Sequence, residues 1–372
     1  MFYYTQMKLS KNLTSRCLVL GLGCPSALYL AAAGVGRLGL VDHDTVDTSN
    51  LHRQVAHSED RLGINKSLSL ASTLRSLNSS VQVVPYETVL DSSNALNILR
   101  DYDIILDCTD NVATRYLLSD AAVILDKALV SGSALRWEGQ LTVYNHQGGP
   151  TYRCLYPQPP AADNVTNCSD GGVVGPVVGV IGSMQALEAV KILSGMGTSY
   201  SGVMMLFDGA EGRVRNIKLR GRAEDRVKEV TELVDYVQFC GAAATDKEAG
   251  VSLLGPEDRV SVQHLQSVIK TGAGVLVDVR AETETEICRL EPCLNVPLSD
   301  LKYDGNWDSI REKLLSCDSG QGAEVYVVCR RGNDSQVATG ILRPLLPGAR
   351  VRDVIGGLHA WTKHIDPTFP LY

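Results

Sequence analysis

The sequence lacks the features that mark secreted, membrane-bound and nucleic-acid-binding proteins. Residues 1–20 contain neither the apolar core of a signal peptide nor its small-residue cleavage site, and no uninterrupted apolar run reaches the length of a membrane span. Basic residues are not in excess, since the formal net charge is -7. This balance argues against a broad basic face for nucleic acid but permits a local basic pocket. We therefore expect a cytosolic protein that binds no membrane and contacts no nucleic acid directly.

Regular cysteine spacing and repeats are also missing. The ten cysteines are scattered over both halves of the chain, which fits free thiols in a reducing compartment better than a disulfide framework. The chain has 372 residues, of which 44% are hydrophobic and 21% charged. This is an ordinary globular composition, and the length favours two domains.

Short apolar runs alternate with longer helical stretches from Cys17 to about Asp208. The runs are CLVLGLG, GRLGLVD, DIILDCTD, KALVSGS and GQLTVYN. Such alternation predicts an α/β fold with a largely parallel, doubly wound sheet and helices on both faces. Folds of this kind place ligands at the C-terminal edge of their strands.

A second α/β cycle begins near Val260, where VSVQHLQSVIKTG precedes GVLVDVR and EVYVVC precedes SQVATGILRPL. Between the two cycles, residues 220–253 are rich in charge, alanine and glycine, which indicates a connector with few strands. We therefore predict one domain over residues 1–239, a linker over 240–257 and a second domain over 258–372.

The second cycle contains a cysteine in a setting that favours a reactive thiol. Cys329 ends the strand-like run VYVV and is followed by RRGNDS. Amides of such a loop can point at the sulfur, and the charges of Arg330 and Arg331 are expected to lower the thiol pKa. A small buried core residue is the alternative interpretation of a cysteine at a strand end. Asp278-Val-Arg280 is predicted to support the floor of this pocket.

The first cycle contains the elements of a nucleotide site. Gly21-Leu-Gly23 follows an apolar run and opens a helical segment, so that its amides can face a phosphate. Asp42 ends the next strand and can bind a ribose hydroxyl. This pair fits NAD and ATP equally well.

Further charged residues favour ATP. Arg53 and Lys66 supply two cations for a polyphosphate, and Asp110, at a strand end, can hold Mg²⁺. Each has a simpler interpretation, since Arg53 and Lys66 could be solvated surface charges and Asp110 could cap the helix that begins at Asn111.

The order GLG, VDHDTVDTSNLHRQ, GINKS and LDCTDN resembles the adenylyltransferase domain of the ubiquitin-activating superfamily, in its bacterial molybdopterin and thiamine-pathway branch. The match continues through SGSALRWEGQ, YRCLYP, TNCSDGG and MQALEAVK. The C-terminal DVR, CRRGNDS and GGLHAW resemble a rhodanese sulfurtransferase domain. The resemblance covers almost the whole chain. It implies a Rossmann-like activating-enzyme domain followed by a rhodanese-like α/β domain.

The two domains in this order resemble the eukaryotic adenylyltransferases and sulfurtransferases. In that family ATP adenylates the C-terminal glycine of a ubiquitin-like carrier, and a rhodanese persulfide then supplies sulfur for a thiocarboxylate. The resemblance implies as partners the Gly-Gly carriers of molybdopterin synthesis (the small subunit of molybdopterin synthase) and of tRNA wobble-uridine 2-thiolation. It also implies a cysteine desulfurase as sulfur donor and a homodimer.

The resemblance also implies roles for residues of this chain. The catalytic cysteines would be Cys168 and Cys329, Cys168 acting through a thioester or a disulfide, or being a loop thiol without chemistry. Asp110 would hold Mg²⁺. The ATP-binding residues would be Gly21, Asp42, Ser49, Asn50, Leu51, His52, Arg53, Lys66, Asp110 and Asn111.

The sequence departs from the family in three places. Its phosphate loop keeps one Gly-x-Gly, and residues 1–13 contain no arginine to contact a neighbouring subunit's ATP. The family also binds zinc through two Cys-x-x-Cys pairs. Here Cys154 is the one remaining ligand position, because Thr151 stands where its partner belongs and RGRAEDRVKEV contains no cysteine. We therefore predict no tightly bound zinc.

Three hypotheses remain open from the sequence. The chain is a two-step activating enzyme with a compensated phosphate loop, or a sulfurtransferase whose first domain only binds the carrier. The third hypothesis is a longer natural N-terminus, which would account for the short loop and the missing arginine together.

Overall fold

The computed structural model describes residues 15–21, 23–160, 172–219, 230–240, 253–303, 307, 311–312 and 324–370. The chain divides into two compact units, residues 1–244 and 245–372. This division falls inside the predicted linker. The bounds of that linker stay a prediction, because residues 241–252 lie outside the described part.

The first unit is built on an eight-stranded sheet. Its strand order is β3-β2-β1-β4-β5-β6-β7-β8. Strands β1 to β5 run parallel, as predicted, whereas β6, β7 and β8 extend the sheet in antiparallel fashion. Only Arg136 and Trp137 separate β5 from β6, and so short a connection forces an antiparallel hairpin. The strands are β1 (Arg16–Gly21), β2 (Arg37–Val41), β3 (Gln82–Tyr86), β4 (Ile104–Cys108), β5 (Ala128–Leu135), β6 (Glu138–Tyr144), β7 (Val203–Asp208) and β8 (Arg213–Lys218).

Helices cover both faces of this sheet, so the doubly wound arrangement is confirmed. One apolar cluster joins the sheet to α1, α2 and α6, and a second joins the other face to α3, α4 and α7. The helices are α1 (Cys24–Ala33), α2 (Lys66–Leu77), α3 (Ala95–Leu99), α4 (Val112–Ile124), α5 (Tyr152–Leu155), α6 (Gly175–Leu193) and α7 (Tyr236–Cys240).

Helix α6 is the one helix of the described residues that is long and apolar enough, by length and composition, to cross a membrane. Its apolar residues pack inside the first unit instead. Val177, Ile181 and Ala186 are buried, and the helix packs against α1, β5 and β6. These contacts are those of a core helix lying on a sheet.

The second unit contains a five-stranded parallel sheet in the order β11-β10-β12-β13-β9. Trp361 is 8% exposed and packs in an apolar cluster of this unit's core. The strands are β9 (Arg259–Val260), β10 (Val275–Asp278), β11 (Leu294–Asn295), β12 (Glu324–Val328) and β13 (Arg350–Val354). The helices are α8 (Val262–Thr271), α9 (Glu282–Ile287), α10 (Leu298–Tyr303), α11 (Asp334–Leu345) and α12 (Gly357–His364).

Candidate functional site

A cleft opens at the C-terminal ends of β1, β4 and β5 in the first unit. The strand order reverses between β1 and β4, and such a reversal is where open α/β sheets bind their ligands. The space between its walls is about 510 Å³, part of which is open to solvent. Its polar lining includes Arg53, Thr109, Asp110, Arg115 and Ser133. Two of the residues predicted for ATP, Arg53 and Asp110, therefore share one cleft.

The turn from β1 into α1 forms part of the cleft floor. Gly21 ends β1, and α1 begins at Cys24 directly after Gly23. A Cβ atom on Gly23 would lie 2.1 Å from Cγ1 of Val19, so only glycine fits. No side chain caps the start of α1 among the described residues. The short turn thus presents an uncapped helix N-terminus, which suits an anionic ligand.

Asp42 and Lys66 lie beside a smaller pocket next to β2. Lys66 is 5% exposed, which rules out the interpretation as a solvated surface charge. Its Nζ lies 3.0 Å from Oδ2 of Asp44, so the ammonium is already held by a carboxylate. Burial raises the pKa of Asp42, and the charge of Lys66 opposes that rise. The two predicted residues lie close enough for their charges to interact.

This smaller pocket also contains two polar residues that sequence reasoning missed. Gln54 and His57 line it together with Asp42 and Lys66. Gln54 is 1% exposed, and neither polar atom of its amide has a hydrogen-bond partner among the described residues. Burial lowers the pKa of His57 to about 4, with help from Lys66. A buried amide without partners is costly, so Gln54 marks a place for a polar ligand or water. The one feature of the sequence that points to Gln54 is its position directly after the predicted run 49–53.

The predicted run 49–53 is folded as a 3₁₀ turn and the loop that follows it. The Ser49 side chain stabilises this turn, because its hydroxyl donates to Oδ1 of Asp47 at 2.6 Å. Arg53 Nη1 donates to the carbonyl of Ser49 at 3.0 Å and lies 3.3 Å from Nε2 of His52. Arg53 is half-buried, with its side chain on the cleft, rather than a solvated surface charge.

The start of α6 packs directly against this loop. A Cβ atom on Gly175 would lie 2.2 Å from the carbonyl oxygen of His52, so glycine is required at this approach. Burial, followed by the charge of Arg53, lowers the pKa of His52, which therefore stays neutral at pH 7. The loop that carries Arg53 is thus in direct backbone contact with the start of α6. Asn50 and Leu51, between Ser49 and His52, are half-buried in it.

Asp110 and Asn111, which follow β4, have different roles in the structure. Asn111 caps α4, since its side-chain oxygen accepts a hydrogen bond from the Thr114 amide at 2.8 Å. The alternative interpretation of Asp110 as this cap is therefore wrong. Among the described residues, none forms a hydrogen bond or ion pair with the Asp110 carboxylate. Asp110 lines the cleft, and carboxylate oxygens are hard ligands of the kind that Mg²⁺ takes.

Arg115 is a further cleft residue that the sequence patterns did not single out. Its Nη2 donates to the carbonyl of Thr109 at 3.0 Å, and its Nε lies 3.9 Å from Oδ2 of Asp107. Asp107 is 1% exposed and accepts hydrogen bonds from Thr109 and Ser131. Arg115 follows Asp110 by five residues on the first turns of α4. The cleft thus carries two guanidinium groups and one carboxylate.

Two further predicted positions are Cys168 and Cys154. Cys168, predicted as a catalytic residue, lies outside the described residues. Cys154 lies in α5, where its Sγ lies 3.4 Å from the Thr151 amide nitrogen and 3.3 Å from Oγ1 of Thr151. The described residues contain no group of three His, Cys, Asp or Glu side chains that could hold a metal ion. Residues 220–229 contain no cysteine, so the residues present do not fit a structural zinc site. The absence of tightly bound zinc stays a prediction.

An ion pair ties α5 to its neighbours at this position. Arg153 donates from Nε to Oδ1 of Asp120 at 2.7 Å and from Nη2 to Oδ2 at 2.6 Å. Tyr236 donates its hydroxyl to the same carboxylate at 2.6 Å. The guanidinium also lies over the rings of Phe239, at 4.6 Å, and Tyr116, at 5.2 Å. These contacts connect α5 with α4 and α7 without a metal.

Replacing Arg153 with methionine is therefore expected to destabilise the protein by about 3 kcal/mol, because the Asp120 carboxylate would stay buried without its cation. Chemical denaturation measures this loss, and adding EDTA should leave the unfolding midpoint of the unmodified chain unchanged. Arg213→Met is the matched control: its pair with Glu211 is exposed, and the loss should stay within about 0.5 kcal/mol. A large chelator effect would contradict a metal-independent structure.

The second unit holds Cys329 at the end of β12. Its sulfur is buried, at 2% exposed, and accepts a hydrogen bond from the Gly332 amide at 3.1 Å. The Ser335 hydroxyl oxygen lies 3.2 Å from the same sulfur. Asp278, the last residue of β10, pairs in register with Val328, so the Asp278-Val-Arg280 segment lies beside the floor as expected. The predicted loop of amides around the sulfur is present.

The prediction that Arg330 and Arg331 lower the Cys329 pKa is wrong. Burial raises the pKa of Cys329, and the charge of Asp334 adds to the rise. The largest opposing effects come from hydrogen bonds of Ser335 and Gly332. Both arginines are half-buried.

Comparison with known proteins agrees with this division into two sites. The sequence model of the ThiF family matches residues 4–228, and that of the rhodanese-like domain matches residues 261–364. Among solved structures, Escherichia coli MccB in complex with MccA-N7isoASN is 20% identical with a TM-score of 0.51, covering 59% of this chain and 68% of that chain. This likeness supports the fold of the first unit. Fold and sites together define a ThiF-type adenylation domain followed by a rhodanese-like sulfurtransferase domain.

The curated relatives carry both domains. The adenylyltransferase and sulfurtransferase MOCS3 of Culex quinquefasciatus is 51% identical over 361 residues, covering 95% of this chain and 82% of the relative. The MOCS3 proteins of Xenopus laevis and Mus musculus are 50% and 51% identical, covering 99% and 95% of this chain and 84% and 80% of the relatives. The chain belongs to this family of MOCS3 adenylyltransferases and sulfurtransferases. An adenylyltransferase takes its adenylyl group from ATP, in agreement with the prediction of ATP rather than NAD from the sequence.

Proposed function

We propose that the chain adenylates the C-terminal Gly-Gly carboxylate of a ubiquitin-like carrier and then converts it into a thiocarboxylate with sulfur carried by Cys329. The product would serve molybdopterin synthesis and tRNA wobble-uridine 2-thiolation. The observation that carries the adenylation half is the Asp110 carboxylate, which has no partner among the described residues and lies in one cleft with Arg53 and Arg115.

The cleft residues suit attack at the α-phosphorus of ATP. The carrier carboxylate attacks, and pyrophosphate leaves. Both partners are anionic, so the cations of Arg53 and Arg115 are needed to bring them together and to stabilise the charge that develops. A Mg²⁺ ion held by Asp110 would neutralise further charge on the triphosphate. Gln54 and Asp42 would contact the nucleotide from the smaller pocket.

The sulfur step follows from the Cys329 pocket. A Cys329 persulfide attacks the carbonyl carbon of the acyl-adenylate, AMP leaves, and the carrier becomes joined to Cys329 through an acyl disulfide. Release of the thiocarboxylate then requires a second thiol to attack the Cys329 sulfur. This attack breaks the acyl disulfide and leaves a disulfide between the second thiol and Cys329, which a reducing thiol must open before the next cycle. Cys168 is the proposed source of that thiol, with a thioester to the carrier as the other role that its position in the family would allow.

The remaining partners are proposed on the family resemblance alone. A cysteine desulfurase would load Cys329 with sulfur, and two copies of the chain would act as a homodimer in the cytosol. No contact with membrane or nucleic acid is needed for either step.

Pyrophosphate exchange tests the adenylation half. The chain is incubated with ATP, Mg²⁺, labelled pyrophosphate and a purified carrier ending in Gly-Gly, with the same carrier shortened by its last glycine as control. We expect label to enter ATP only with the intact carrier and only with Mg²⁺. No exchange with the intact carrier would contradict adenylation and would leave the alternative function, a sulfurtransferase whose first domain only binds the carrier.

A further inference from the structure

A chain of buried groups runs behind the Cys329 sulfur. Ser335 is fully buried, and its hydroxyl donates to Oδ1 of Asp353 at 2.5 Å. The other carboxylate oxygen of Asp353 accepts from Nε of Arg259 at 2.8 Å. Asp353 belongs to β13, the neighbour of β12, and is itself fully buried. Neither Ser335 nor Asp353 reaches solvent.

The hydrogen bonds fix the direction in which a proton can move. A serine hydroxyl has one proton, and that of Ser335 is given to Asp353. The 3.2 Å contact between Ser335 and Cys329 can therefore be a hydrogen bond only if the thiol is the donor. A neutral Cys329 thiol thus donates to the Ser335 hydroxyl, which in turn donates to the Asp353 carboxylate.

We propose that Asp353 accepts the Cys329 proton through Ser335 when Cys329 takes up sulfur, so that both act as positioning residues for thiolate formation. Ser335 passes its proton to Asp353 and receives the proton of the thiol. The thiolate then attacks the outer sulfur of a donor such as thiosulfate. The new S–S bond to Cys329 forms as the old one breaks, and sulfite leaves with the bonding pair.

The environment of Asp353 is consistent with this role. Burial raises the pKa of Asp353, which makes its carboxylate a better proton acceptor, while Ser335 and Arg259 keep it from being protonated permanently. Buried behind Cys329, the carboxylate can exchange its proton internally rather than with water. The other charged or titratable groups around the pair are Arg259, Asp278 with Arg280, Arg330, Arg331, Asp334 and His359, whose amide donates to the Arg330 carbonyl.

The proposal rests on the sulfur-transfer half of the proposed function and predicts a particular pH profile. The full chain is assayed for sulfur transfer from thiosulfate to cyanide, and kcat/KM for thiosulfate is measured across pH. Internal transfer holds the thiolate fraction constant between the two apparent pKa values of the pair, so the profile should be flat between about pH 6 and pH 8. Without the relay, the thiolate fraction falls tenfold for each pH unit below the thiol pKa.

Ser335→Ala and Asp353→Asn are expected to convert the flat profile into one of slope one and to lower kcat/KM at pH 7 by roughly 100-fold. Thr339→Val is the matched control, because Thr339 is a fully buried α11 hydroxyl that donates to the Ser335 carbonyl instead of to the sulfur. The control and His359→Gln should keep the flat profile.

A flat profile in Ser335→Ala, or a slope of one in the unmodified chain, overturns the relay. If Asp353→Asn fails to fold because Arg259 loses its partner, Ser335→Ala decides, since it leaves that pair intact. Loss of the flat profile in Thr339→Val would also overturn the proposal. No thiosulfate activity in the unmodified chain would instead count against the proposed sulfur transfer itself.

Discussion

Replacing Cys329 with alanine is expected to reduce sulfur transfer from thiosulfate to cyanide to the uncatalysed background. The sulfur of Cys329 is the one that the Gly332 amide and the Ser335 hydroxyl face, and among the described residues no other thiol contacts these two groups. The fold should survive, because removing one buried sulfur leaves a small cavity beside an otherwise unchanged loop. Steady-state sulfur transfer and circular dichroism on the same preparation measure both effects.

Cys293→Ala is the matched control for this variant. Cys293 lies in the same unit, and burial raises its thiol pKa to about 12, so it stays protonated and inert at neutral pH. It should retain full activity. Activity that persists in Cys329→Ala would contradict the assignment of the sulfur-transfer site. Pyrophosphate exchange should be unaffected in both variants, since adenylation precedes the sulfur step.

Replacing Asp110 with asparagine is expected to lower carrier-dependent pyrophosphate exchange by roughly 100-fold. The change removes a negative charge and keeps the size of the side chain. Because the carboxylate has no hydrogen bond or ion pair among the described residues, its loss should hardly affect stability. The expected defect should be smaller at higher Mg²⁺ concentration, since weaker binding of the ion is its cause.

Asp208→Asn controls for the removal of a carboxylate from the same unit. Asp208 ends β7 and accepts hydrogen bonds from the amides of Ala210 and Glu211, away from the cleft lining. We expect exchange close to that of the unmodified chain. Equal exchange in Asp110→Asn and Asp208→Asn would remove the basis for placing Mg²⁺ at Asp110.

The adenylation cleft shows where sequence reasoning reaches its limit. The alternation of strands and helices predicts the doubly wound sheet, and the order of motifs places Asp110 at a strand end. The sequence alone does not separate Asp110 from Asn111, because either side chain can cap a helix. Only the geometry assigns the cap to Asn111 and leaves Asp110 lining the cleft.

The same limit applies to Gln54 and Arg115. Each lies within a few residues of a predicted site, but its contribution depends on which way the chain turns after it. Gln54 is buried because the chain after the run 49–53 folds onto Val19 and Leu40, a contact between residues that lie apart in the sequence. Neither the charge pattern nor the residue spacing along the chain predicts that contact.

The sequence predicts the backbone amides around the Cys329 sulfur but not the direction of the Cys329 pKa shift. A strand end followed by a glycine-containing loop indicates amides around the sulfur, as the Gly332 amide confirms. The sign of the pKa shift depends on burial, which the charges of Arg330 and Arg331 do not overcome. Asp353 reaches Ser335 because β13 lies beside β12, which requires the strand order rather than the local sequence.

The most direct test of the proposed function is the intact mass of a carrier ending in Gly-Gly after incubation with the chain, ATP, Mg²⁺ and a sulfur donor. Joint action of the two sites predicts a carrier in which sulfur replaces one carboxylate oxygen, formed only when ATP and the donor are both present. This product should be absent in Cys329→Ala and should form far more slowly in Asp110→Asn. A carrier of unchanged mass, in a preparation that still transfers sulfur from thiosulfate to cyanide, would contradict joint action and leave a sulfurtransferase alone.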